Sequence, residues 1–327
     1  MEGRPAAPGG VSSAMSTPAP TLGTPWQWGA FLLLVLALLA FDLGVVHRKE
    51  RDIGLREAVV WSVLWTLLAL AFNAWIYLRF GARPGLEFLT GYIIERSLSF
   101  DNLFVFVLIF NYFAVPRRHQ HTVLFWGILG ALVSRGLFIG LGTALISRFD
   151  WLILAFGAFL VYTGVRILRN KEVEVHPEHN PVLKLFRRAV PITARYHGRR
   201  LLVRQEGRTL ATPLLAVLVV IEATDVLFAV DSIPAVFGIT RDPFLVFTSN
   251  ICAILGLRAL YFLLASLMQQ FRYLEHGLGL VLVFVGAKML AHGRYEVPIE
   301  LSLGIVLAVL AAAIALSLLF PPRGRRG

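Results

Sequence analysis

Apolar runs of 20 or more residues recur along most of this 327-residue chain, and nothing else in the sequence limits its possible folds so severely. Backbone polar groups in hydrocarbon must be satisfied within their own segment, so a run of that length spans a bilayer as an α-helix. With 57% hydrophobic and 16% charged residues, the chain has too many apolar side chains for one soluble core to hide. The expected class is all-α: a polytopic helical membrane protein of about nine transmembrane helices. The spans are predicted at 26–46, 57–78, 88–115, 122–146, 150–168, 212–239, 244–268, 273–291 and 297–320.

Charge placement orients these spans. The net charge of +11 does not indicate nucleic acid, because the basic residues sit in loops beside apolar runs, where they face anionic lipid. Arg48, Lys49, Arg51 and Arg56 fill one loop, ten Lys and Arg fill 169–211, and Arg323, Arg325 and Arg326 close the chain. The opposite loops carry few: Arg79, Arg83, Arg148, Arg241 and Arg294. The basic loops are therefore expected in the cytoplasm, with the N-terminus outside and the C-terminus inside. Residues 1–25, rich in Pro, Ala, Gly, Ser and Thr, are expected to be a disordered tail, and 321–327 a basic tail. The first apolar run, Trp26 to Val46, is too long for a signal-peptide core, so it is expected to be an anchor, with Trp26 and Trp28 at the interface. "KEVEVHPEHN" at 171–180, with His176 and His179, is expected to be solvated loop.

The sequence also repeats itself. "SFDNLFVFVLIFNYFAVP" (99–116) and "ATDVLFAVDSIPAVFGIT" (223–240) align without a gap when Asp101 is set on Asp225; with one deletion Arg135 meets Arg258, and Gly157 and Gly164 then fall on Gly279 and Gly286. The units are 86–168 and 212–291, each of three spans, after two leading spans in 26–78 and before a final one at 297–320. An odd number of spans puts the second unit upside down relative to the first, the architecture of secondary transporters with a midplane site. A second register pairs Asp101-Asn102 with Asp231-Ser232; the sequence leaves both open.

Carboxylates lie inside these spans at Asp42, Glu95, Asp101, Glu222, Asp225 and Asp231. Each costs about 2.5–3.5 kcal/mol at a helix centre, so intramembrane acids signal function. Glu222 and Asp225 share a helix face, while Asp231 points elsewhere unless Pro234 breaks the helix and re-aims it. Structural pairing with Arg135 and Arg258 leaves an excess of negative charge. Asp42, beside His47 and Arg48, suits a surface position equally well. The ligand set is oxygen only, from Glu95, Asp101, Asn102, Glu222, Asp225, Asp231 and Ser232, with Asp42, Arg135 and Arg258 as secondary residues. Hard oxygen donors suit Mn²⁺, Ca²⁺ or Mg²⁺ rather than Zn²⁺ or Cu⁺. No G-x-x-x-x-G-K-[ST] loop is present, so a gradient is expected to drive transport, with protons as the natural exchange partner and no enzymatic activity.

"ERSLSFDNLFVF" (95–106), "FAVPRRHQHTVLFWGILGA" (113–131) and "ATDVLFAVDSIPAVFGITRDPFLVFTSNICAILGLRALYF" (223–262), together with "FDLGVVHRK" (41–49) and "LREAVVWS" (55–62), closely resemble the TerC family, its Alx-like members above all. The resemblance runs from about residue 26 to 320. It implies an inner-membrane protein of bacteria linked to manganese export, with Mn²⁺ as cargo rather than tightly bound cofactor, and an association with tellurium resistance. It implies as well that the acidic motif positions named above bind the ion. An alternative it also suggests is a membrane factor assisting metallation or insertion of exported proteins. An oxyanion transporter fits poorly, because the buried charge is negative.

Overall fold

The computed structural model describes residues 21–41, 54–149, 151–169, 181–193, 196–198, 200–205, 208–267, 273–291, 295 and 297–320. The expectations for most of the N-terminal tail, Asp42, His176, His179 and the last seven residues lie outside them. The elements in chain order are α1 (Pro25–Phe41), α2 (Leu55–Phe80), α3 (Ala82–Tyr112), α4 (Arg117–Arg148), α5 (Trp151–Arg169), α6 (Pro181–Ala189), β1 (Leu202–Gln205), β2 (Arg208–Ala211), α7 (Pro213–Phe237), α8 (Pro243–Leu255), α9 (Leu257–Leu267), α10 (Leu274–Leu290) and α11 (Ile299–Leu319).

Large apolar side chains cover the outside: Leu78 is 85% exposed, Leu319 72% and Val133 69%, as lipid contact requires. Among the described residues, α2, α4, α5, α7 and α11 are long and apolar enough to cross a membrane, and the pair α8–α9 makes a sixth with a 45° bend. Helices also stand at the other expected spans. α1 and α10 have 17 residues each, and α3 carries Arg83, Glu87, Glu95, Arg96 and Asp101 along its length. Trp26 is exposed, but Trp28 turns inward, its ring 5.3 Å from those of Phe244 and Phe247.

Two local expectations are corrected. α7 continues through Pro234 to Phe237. Pro234 lies in the last turn, so the bond it removes and its clash with the Val230 carbonyl are followed by only three more helical residues. The interruption falls at Gly256, between α8 and α9, where Arg96 donates from Nη1 to the Ala253 carbonyl at 2.9 Å and takes the space a side chain at Gly256 would need. The 169–211 stretch is not plain loop. PVLKLFRRA forms α6, which buries Leu183 and leaves Lys184, Leu185 and Arg188 outside, and β1 pairs antiparallel with β2 just before α7 begins.

Packing between the two copies is reciprocal. α3 packs on α8 and α4 on α7, both pairs running parallel; α5 packs on α10 running antiparallel. A Cβ on Gly157 would lie 3.0 Å from the Gly286 carbonyl oxygen, and one on Gly286 2.6 Å from that of Gly157. Gly164 and Gly279 meet the same way, at 2.6 and 3.1 Å. Since Gly157 matches Gly279 and Gly164 matches Gly286, each glycine touches the counterpart of the other, as a two-fold axis in the membrane plane demands.

The same symmetry selects a register for the first helices. A Cβ on Gly91 would lie 3.0 Å from Ser249 Oγ, and one on Gly127 3.4 Å from Ile221 Cγ2. These contacts become equivalent when Gly91 matches Ile221 and Gly127 matches Ser249. That register pairs Glu95 with Asp225 and Asp101-Asn102 with Asp231-Ser232, and rules against setting Asp101 on Asp225, which would put Gly91 on Leu215. The gapless match misled because 32 residues separate Glu95 from Gly127 but 24 separate Asp225 from Ser249: the α3–α4 hairpin is longer than α7–α8.

Candidate functional site

Arg135 of α4 occupies the centre, with no exposed side-chain surface. Its Nη1 donates to Glu95 of α3, to Ser232 Oγ of α7 at 3.3 Å and to Asn250 Oδ1 of α8 at 3.2 Å; Nη2 reaches Asp225 Oδ1 of α7 at 3.4 Å. Asn250 Nδ2 closes the ring on Glu95 Oε2 at 2.9 Å. Four helices, two from each copy, thus meet around one guanidinium. Glu95 and Asn250 are fully buried, Ser232 is 2% exposed and Asp225 3%. Extended rods deliver these groups to one depth because α3 lies parallel to α8 and α4 to α7.

The bonding is incomplete. Asp225 Oδ2, Arg135 Nε and, one turn beyond Glu95, Ser99 Oγ are buried without a hydrogen-bond partner. Two carboxylates surround one guanidinium, so with both ionised the cluster keeps a negative charge. A buried anion in hydrocarbon must be neutralised by a cation or a proton.

The remaining predicted residues take different places. Glu222 shares a face with Asp225, as their spacing requires, and its carboxylate lies over Gly130 of α4, where even a methyl group would overlap it. Asp231 turns away to α5, where Thr163 Oγ1 donates to Oδ1 at 3.4 Å. Its six-residue offset from Asp225 places it about 120° round the helix, and the unbroken α7 keeps it there. Asn102 is buried on α3. Asp101 sits on α3, but its side chain lies outside what the structure describes, and Arg258 of α9 is buried. Among the described residues no three His, Cys, Asp or Glu come together as a metal-holding group.

The pattern of the integral membrane protein TerC family matches residues 80–325. The chain belongs to the TerC family. Within it, an uncharacterized membrane protein of Myxococcus xanthus is 49% identical over 300 residues, 92% of this chain and 94% of that one. "Putative membrane-bound redox modulator Alx" of Escherichia coli K12 is 46% identical over 299 residues, 89% of this chain and 93% of the relative. The protein of that name in Salmonella typhi is 45% identical over 306 residues, 91% and 95%. No solved structure matches.

For this TerC protein the sequence reading missed Asn250 and Thr163. Asn250 sits in "LVFTSNICAIL", a stretch where one amide in an apolar run was the available signal. Glu95, one of the acids expected inside the spans, is at the centre.

Proposed function

We propose that this chain is a secondary transporter that exports a divalent metal ion, Mn²⁺ foremost, from the cytoplasm across the bacterial inner membrane in exchange for protons. The observation that carries the reading is the Asp225 carboxylate: buried between inverted copies, holding one distant arginine contact, with Oδ2 unpartnered. An unpartnered buried carboxylate oxygen is a poor structural element and a good ligand for a hard cation. Ser232, two turns along α7 and on the same guanidinium, adds a further oxygen donor. Ca²⁺ fits the same donor set. Protons and the metal would compete for the same oxygens, which couples their fluxes. The basic loops, and Lys184 and Arg188 of α6 among them, would face anionic lipid in the cytoplasmic leaflet.

An intrachain dithiol cycle, which the name of the Alx relatives brings to mind, is closed to a chain with Cys252 as its single cysteine. Uptake of ⁵⁴Mn into inverted vesicles, acid inside, tests the proposal. Gradient-dependent uptake is expected, lost in Asp225→Asn and Asp101→Asn at matched expression. Uptake no greater than in vesicles lacking the protein, or unchanged in both variants, would refute it.

A further inference from the structure

Glu95 and Asp225 occupy matching positions of the two copies, yet their surroundings differ. Glu95 has Arg135 Nη1 on Oε1 and the Asn250 amide on Oε2 at 2.9 Å. Asn250 also accepts from Arg135 at 3.2 Å, so the three side chains form a closed ring. Asp225 has one contact, Arg135 Nη2 at 3.4 Å, and a bare Oδ2. In the register fixed by the glycine contacts, the counterpart of Asn250 on α4 is Ile128, a buried aliphatic side chain with nothing to donate. In the same register Arg135 falls on Leu257, so the copies differ in the arginine, which serves both carboxylates, and in one amide.

We propose that the two carboxylates have divided their roles: Glu95 is the resident counter-ion of Arg135, fixed by Asn250 as a positioning residue, and Asp225 is the carboxylate that takes the divalent cation. This rests on the transport reading above. Taking Glu95 into a metal shell would break two close bonds to its oxygens, one of them charge-assisted, and leave the Asn250 amide without an acceptor in a dry interior. Engaging Asp225 through Oδ2 breaks none. A single arginine can thus serve one carboxylate permanently and leave the other available.

Infrared difference spectra of the purified full chain on adding Mn²⁺ alone separate the two residues. The measurement uses ¹³C-Asp- or ¹³C-Glu-labelled protein in a Glu222→Gln background, so that Glu95 is the cluster's remaining glutamate. The carboxylate band that responds to Mn²⁺ should shift with the Asp label and ignore the Glu label. In Asn250→Leu a Glu-labelled band should join it. Ile128→Asn, which puts an amide at the α4 position matching Asn250, should weaken Mn²⁺ binding on the order of tenfold, read from the free-Mn²⁺ electron paramagnetic resonance signal. A band following the Glu label, an Asn250→Leu spectrum identical to its parent, or full affinity in Ile128→Asn would overturn the division of roles. Absence of any Mn²⁺ binding by the unmodified chain would overturn the transport reading itself, and this inference with it.

Discussion

Arg135 and Glu95 hydrogen-bond across α4 and α3 with neither side chain showing any surface to solvent. Removing one member of such a pair strands the other. Arg135→Met should cost about 3–5 kcal/mol, and thermal unfolding in detergent would show it as a large fall in midpoint. Arg135→Met combined with Glu95→Gln should recover part of the loss, because the stranded charge is gone. A double variant no more stable than Arg135→Met would show that the pair does not act through buried charge.

The α5–α10 contact depends on bare backbone. Gly164→Leu should prevent the two helices from meeting and abolish folded yield, since even a Cβ there lies 2.6 Å from the Gly279 carbonyl. Gly304→Leu on α11 meets nothing within 4 Å and should fold normally. Monodispersity on size-exclusion chromatography distinguishes the two, and equal behaviour would contradict the contact.

Topology gives a third expectation. With Cys252 replaced, a cysteine at exposed position 204 of β1 should be protected from an impermeant thiol reagent in intact cells and labelled in inverted vesicles. A cysteine at exposed position 241 should show the reverse pattern. Labelling of 204 from outside would invalidate both the orientation and the direction of transport.

Tyr196 anchors the 181–211 segment by donating its hydroxyl to the Phe113 carbonyl, at 2.7 Å, where α3 ends. Burial raises its phenol above the ordinary value near 10. A raised value means the neutral phenol is favoured by the fold, so this contribution is complete below about pH 10 and fades as pH climbs through the raised value. Tyr196→Phe should lower stability by about 0.5–1.5 kcal/mol at neutral pH. The gap between variant and parent should close above pH 10 in unfolding measurements. A gap that persists in alkali would mean the hydroxyl is not its source.

The helical membrane class and the places of the main helices were legible because hydrophobic length has one structural solution in a bilayer. The repeat was legible too, through glycines and charged residues that pure hydrophobicity would not align. Its register was not. Leu, Phe and Val are interchangeable on a lipid-facing helix, so the gapless match from Asp101 to Asp225 gathered coincident Leu and Phe, and the choice between it and the register pairing Asp101-Asn102 with Asp231-Ser232 rests on which residues touch. Asn250 escaped for a similar reason: its role depends on a partner 155 residues away. Asp231 stays on the α5 side, the direction its spacing gives on an unbroken helix, because α7 runs through Pro234 to its end.

The glycine contacts between α5 and α10 have a mechanical consequence. They are seven residues apart, roughly 10 Å along each helix. Two points of backbone contact at that spacing define a line, with the branched side chains of Val161 and Val283 seated between them. Sliding along the line would drive carbonyls into neighbouring branched side chains such as Val161 and Val283, which flank the glycines. The pair is thereby locked in register along its length, a fixed post beside the four helices around Arg135.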